Sequence, residues 1–222
     1  ERQLAVDVRA GGPLDYVEVV KNGRGWARRD GLGAPRDDGP RFRGRVVLAL
    51  GWGEPGEPTL WRVALAVRGG RLLGVEPRLR GEEQPEARFG FDGAFHVGGV
   101  ARRGDEVELT TRSWKNPTTR TDATQKLALE IEGDGGTRLA LEVNGEKLEV
   151  RLADLRRGPR AGFLDGFVSP AWQLSRAVPE AESRWRCTWE DVEPGPGPDV
   201  YYVRVRQKND QWAWSSPVFV GG

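Results

Sequence analysis

Apolar residues recur at every second position along most of this chain, and almost nowhere at the three-and-four spacing of a helix. Leu4, Val6 and Val8 alternate with polar neighbours, as do Trp61, Val63, Leu65 and Val67. The same holds for Leu127, Leu129 and Ile131, and again for Leu139, Leu141 and Val143. Side chains alternate across a strand but repeat about every 3.6 residues on a helix, so the pattern predicts strands with one buried face. Turn-forming residues fall between the apolar runs, at Asn22-Gly23, Gly69-Gly70, Gly133-Asp134-Gly135-Gly136, Asn144-Gly145 and Asn209-Asp210.

These signals predict a hairpin from Trp61–Val67 through Gly69-Gly70 to Leu72, Leu73 and Val75. They also predict a three-stranded meander from Leu127 through Leu139–Val143 to Leu148, Val150 and Leu152. Arg41–Leu50, Phe89–Val97, Val107–Trp114, Trp185–Val192, Tyr201–Gln207 and Trp212–Val220 supply further strands. Only Ala153–Arg157 and Pro179–Ser183 read as helical. About a dozen strands with frequent turns imply an all-β fold, a β-sandwich of immunoglobulin-like or jelly-roll-like type.

A chain of 222 residues buries roughly 70% of the surface its unfolded form exposes, enough for one large sandwich or two small ones without a metal or disulfide. The expected organisation is a single domain over 1–222. Within it, 1–30 and 185–222 form one sheet region and 41–180 the remainder. Pro194-Gly195-Pro196-Gly197-Pro198 then reads as an inter-strand connection, and Gly31–Pro40 as a loop.

Charge and residue usage exclude several functions. With 34 basic and 33 acidic residues the net charge is +1, which gives no general attraction to nucleic acid or an anionic membrane. No run approaches the roughly 20 apolar residues of a membrane-spanning helix. His96 is the sole histidine, whereas Ser-His-Asp triads and multi-histidine zinc sites need imidazoles. Gly51-Trp52-Gly53-Glu54-Pro55-Gly56 matches GxGxxG in form. However, Glu54 repels phosphate, and Pro58 and a strand follow where a helix is required. Asp37-Asp38, Glu82-Glu83 and Glu190-Asp191 are adjacent, so on strands they face opposite sides and read as solvated loop charges. Arg102-Arg103 and Arg156-Arg157 read as solvated turns. Asn116 precedes proline and is no glycosylation acceptor. Cys187, the only cysteine, reads as a buried, inert thiol between Trp185 and Trp189.

Nine tryptophans are the most unusual feature of the composition. Trp61, Trp185 and Trp189 sit in apolar alternation and read as core. Trp26, Trp52, Trp114, Trp172, Trp212 and Trp214 are the candidate ligand or interface aromatics. An exposed row of such rings would stack sugars, the basis of a carbohydrate-binding module.

The segment Tyr201-Tyr202-Val203-Arg204-Val205-Arg206-Gln207-Lys208-Asn209-Asp210-Gln211-Trp212-Ala213-Trp214-Ser215-Ser216-Pro217 resembles the closing segment of a bacterial family. Its members join β-rich additions to a metal-dependent catalytic domain of the polymerase-and-histidinol-phosphatase (PHP) type. Asp15–Gly23 and Pro217-Val218-Phe219-Val220 resemble the paired first and last strands of such additions. The resemblance implies a C-terminal β domain with no catalytic or metal-binding residues of its own. Any divalent metal would belong to a catalytic domain linked to or associated with it. A chain without methionine that opens in a strand fits a processed, exported or periplasmic protein or a portion of a longer one. The leading expectation is therefore a non-catalytic accessory domain that packs on a hydrolase. The alternative is a carbohydrate-binding module using exposed tryptophans.

Overall fold

The computed structural model describes residues 1–33, 41–51, 59–79, 99–113, 124–166 and 169–221. Among these residues strands dominate, both helices are short, and the fold is all-β and sandwich-like. The chain opens with β1 (Arg2–Arg9), β2 (Leu14–Lys21) and β3 (Arg24–Asp30). It continues with β4 (Arg41–Gly51), β5 (Thr59–Arg68), β6 (Arg71–Arg78), β7 (Gly99–Arg103) and β8 (Glu106–Ser113). Next come β9 (Gln125–Asp134), β10 (Arg138–Val143), β11 (Glu146–Arg151), α1 (Leu152–Arg157), β12 (Arg160–Phe163) and β13 (Ala171–Leu174). The last elements are β14 (Val178–Pro179), α2 (Glu180–Ser183), β15 (Arg184–Asp191), β16 (Asp199–Gln207), β17 (Trp212–Trp214) and β18 (Val218–Val220). They form two compact units, a terminal one of Glu1–Asp38 with Val178–Gly222 and a central one of Gly39–Ala177.

The central unit faces two antiparallel sheets across one core. One runs β11-β10-β5-β8-β7, and the other β12-β13-β4-β9-β6. Alternation supplies the core directly: Phe42, Val46, Leu48 and Leu50 of β4 point inward against Trp61, Val63, Leu65 and Val67 of β5. Trp61 is wholly buried, and its indole N–H donates to Ser113 Oγ at 2.8 Å.

Two turns expected to close hairpins are corners between the sheets. β5 pairs with β8 and β10, whereas β6 pairs with β9. Likewise β9 pairs with β4 and β6, whereas β10 pairs with β5 and β11. The expected meander thus keeps only its second hairpin, at Asn144-Gly145. The physical reason lies in the inward rows. Folded as a hairpin, two apolar rows lie side by side in one sheet, whereas a corner sets them face to face and each covers the other.

Thr137 fastens the two corners together. Its buried hydroxyl donates to the Gly69 carbonyl at 2.9 Å and accepts from the Asp134 N–H at 2.9 Å. Gly69 adopts φ +69°, which favours glycine, and a Cβ on Gly133 would lie 2.2 Å from Thr137 Oγ1. Thr137→Val keeps the shape and removes both part-buried bonds. It should cost about 1–3 kcal/mol in urea unfolding; a loss below the error of that measurement would remove Thr137 from this role.

The turns at Asn22-Gly23, Asn144-Gly145 and Asn209-Asp210 do close hairpins, with Asn22, Asn144 and Asp210 at φ +52°, +49° and +60°. Both helical segments are present, α1 with Leu152 and Leu155 buried. Arg102-Arg103 lies in β7 and Arg156-Arg157 in α1, not in turns. The Arg102 guanidinium donates to the Leu73 carbonyl at 3.2 Å and the Gly104 carbonyl at 3.0 Å. The expected strand Phe89–Val97, His96, the Gly53–Gly56 loop, Asn116 and the Asp37-Asp38 and Glu82-Glu83 pairs lie outside the described residues.

In the terminal unit β1 and β15 pair along their full length, from Arg2↔Asp191 to Arg9↔Arg184. The larger sheet runs β17-β16-β2-β3, and β18 also pairs with β16. Val6, Val17, Val19 and Tyr201 are its buried centre, with Trp26, Trp185 and Trp189 half-buried against them. Early and late strands are thus neighbours, but the partner of β2 is β16. The closing Val218–Val220 pairs with β16, not with the Asp15–Gly23 strand.

Candidate interaction surface

Two rows of side chains cross the outer face of the terminal unit's larger sheet. In register they read Trp212, Arg206, Tyr16, Asp30 and Trp214, Arg204, Glu18, Arg28. Residues two apart on a strand share a face, which is why Trp212 and Trp214 emerge together. Their rings lie 5.8 Å apart and nearly parallel, at 11°. Tyr16 meets the Trp212 ring edge-on at 5.8 Å. The Arg206 guanidinium sits 5.3 Å from the Trp212 ring centre, and that of Arg28 sits 3.6 Å from the Tyr16 ring centre. Cations over aromatic faces are attracted by the ring quadrupole.

Each arginine of the ladder is also neutralised. Arg204 is held by Glu18, Arg206 by Asp210 with Asp15 at 3.6 Å, and Arg28 by Asp30 at 2.6 Å. These bonds raise the three guanidinium pKa values and lower that of Asp30. The ladder therefore offers aromatic surface on which every cation is paired. It explains how Tyr16 and Glu18 are buried on a face that alternation assigns to solvent.

One edge of this sheet stays apolar and open. β17 and β18 pair in succession with the same edge of β16, and residues 211–219 are all exposed. Trp214 is 60% exposed, Val218 60% and Phe219 71%. Of the other candidate aromatics, Trp172 is buried in the central core, where its ring occupies the space a Cβ on Gly162 would need. Trp26 packs edge-on against Tyr201 at 6.3 Å. Trp52 and Trp114 lie outside the described residues. Cys187 is half-buried.

Sequence reasoning missed a second cluster. Asp191, expected among solvated charges, is buried because it faces inward from β15 while Glu190 faces out. It accepts from Lys21 Nζ at 2.6 Å and from the Tyr201 hydroxyl. Asp199, also buried, accepts from Asn22 Nδ2 at 2.6 Å, the Gly195 N–H at 3.0 Å and Arg2. The Asn22 amide, with those other donors, holds the Asp199 carboxyl at about 2. Lys21, and then Tyr201, lowers that of Asp191. Two carboxylates so placed are both ionised near neutrality, so neither is an acid for proton transfer. They clamp β1 and β15 to the β2–β16 pair. The only trace in the sequence is an aspartate on either side of the 194–198 loop.

Among the described residues no group of three or more His, Cys, Asp or Glu side chains could hold a metal ion, and no helix is long and apolar enough to cross a membrane. No family model matches the chain. No curated protein matches it either. A crystal structure of the major pilin subunit of Bacillus cereus aligns over 100% of this chain and 67% of that one, at 11% identity and a TM-score of 0.15. A likeness that weak carries no argument.

Proposed function

We propose that this chain is a non-catalytic accessory β protein that docks on a metal-dependent hydrolase domain of the PHP type through the β17/β18 edge. The observation that carries the reading is the concentration of exposed apolar side chains there, Trp212, Trp214, Val218 and Phe219. Large exposed apolar side chains gathered along one sheet edge mark a protein interface, and tryptophan in particular anchors interfaces. The resemblance of the Tyr201–Pro217 segment to the closing segment of PHP-type proteins supplies the partner class.

The test mixes the chain with separately expressed PHP-type catalytic domains from the same genome and follows sedimentation velocity. A complex is expected with one of them. The double variant Trp214→Asp/Phe219→Asp should weaken it at least about 30-fold, the loss of one strong anchor. No complex, or an unchanged affinity in the variant, overturns the reading.

A second reading rests on the parallel exposed rings of Trp212 and Trp214, which would stack a sugar. It predicts that a polysaccharide shields them from acrylamide quenching. Quenching unchanged by every polysaccharide tried would remove it.

A further inference from the structure

The open face of the central unit's β11-β10-β5-β8-β7 sheet holds a trough of about 570 Å³. Its floor is Ala64 and Ala66 of β5 with Ala140 of β10. Ala66 and Ala140 are direct cross-strand partners. Their sequence neighbours Val63, Leu65, Val67, Leu139 and Leu141 all point into the core, so the three methyl groups face solvent. Long polar side chains usually cover such positions in a sandwich. Here three alanines line the floor, and apart from Glu142 of β10, the cross-strand partner of Ala64, the long side chains stand at the margins, which makes the hollow.

On one margin are Glu106 and Glu108 of β8 with Arg103 of β7, and on the other Lys147 and Glu149 of β11. Arg68 closes one end. Lys147 pairs with Glu142 at 3.6 Å and Glu149 with Arg138 at 2.6 Å. Arg68, Arg103, Glu106 and Glu108 make no ion pair among the described residues. The margins thus mix free donors and free acceptors, and cations nearly balance carboxylates.

We propose that this trough binds a linear, uncharged glycan segment. The balanced rim gives a polyanion or a polycation no net attraction. An extended peptide finds no edge to extend, because β5 is paired on both sides, and flush methyl groups offer no side-chain pocket. A sugar chain has what the surface lacks: C–H faces that rest on the methyl floor, and hydroxyls that both donate and accept. Free guanidinium groups donate two bonds in a fork, and free carboxylates accept several, which suits neighbouring hydroxyl pairs. This inference uses no residue of the terminal unit and stands or falls apart from the docking reading.

The experiment is saturation-transfer NMR on the whole chain with linear hexasaccharides of glucose, xylose, mannose and N-acetylglucosamine, hexagalacturonate, and a pool of random decapeptides. Binding of at least one neutral hexasaccharide is expected. Ala66→Phe, which fills the floor from the solvent side, should weaken it at least about tenfold. Glu106→Gln/Glu108→Gln, confined to exposed side chains, should weaken it as well if Ala66→Phe impairs folding. Trp214→Ala should leave it unchanged. The proposal is overturned if no neutral sugar binds at millimolar concentration, if hexagalacturonate or the peptides bind instead, or if binding survives both trough variants or is lost with Trp214→Ala.

Discussion

Replacing Trp61 by alanine is expected to destabilise the central unit by about 3–5 kcal/mol, the range for deleting a large aromatic side chain from a packed core. The ring is wholly buried, and residues of both sheets surround it. β4 and β5 are each paired on both sides, so their backbones can relax into the cavity only in part. The substitution also strands the Ser113 hydroxyl, which now accepts from the indole N–H at 2.8 Å. Trp61→Phe separates the two contributions, because it keeps most of the volume and removes only the donor. It should cost about 1–3 kcal/mol. Urea unfolding followed by far-ultraviolet circular dichroism measures both. A loss below about 1 kcal/mol for Trp61→Ala would mean that the core closes over the gap.

The terminal unit is expected to unfold in acid, over the range in which Asp191 and Asp199 gain protons. Both carboxyls lie below their ordinary value of 3.8 in the folded chain, Asp199 at about 2. Between those limits the unfolded state binds more protons than the folded state. The stability these groups contribute is therefore fully present above pH 3.8 and lost as pH falls towards 2. Lys21→Met removes the largest influence on Asp191 and a positive charge 3.7 Å from Asp199. Its acid midpoint should accordingly move to higher pH, and the variant should be less stable at neutrality. Amide exchange in β2 and β16, the strands this cluster ties together, reports on the unit directly. An unchanged midpoint would show that the cluster does not stabilise the folded state.

Much of the architecture is written locally. The alternation of Leu4, Val6 and Val8, or of Trp61 to Val67, is enough to place strands and to say which side of each is apolar. The left-handed residues of true hairpins, Asn22, Asn144 and Asp210, are equally local, because short polar side chains tolerate positive φ. A single histidine likewise rules out multi-histidine metal sites within this chain without any structure.

Sheet membership is not local. A period of two states which face of a strand is buried but not which strand lies beside it. Gly69-Gly70 and Gly133–Gly136 therefore look like hairpin turns until the core requires their flanking strands to lie opposite each other. The tryptophans divide for the same reason. Trp172 and Trp214 have similarly unremarkable neighbours in the chain, but β13 lies inside a sandwich and β17 on an open edge. Lys21, Asp191 and Asp199 look like surface charges one at a time, and only the pairing of β1 with β15 and of β2 with β16 brings them together. Local pattern was enough for the position of most strands and for where the chain turns between them. Tertiary structure alone decided which faces meet, because burial of a side chain depends on what stands across from it.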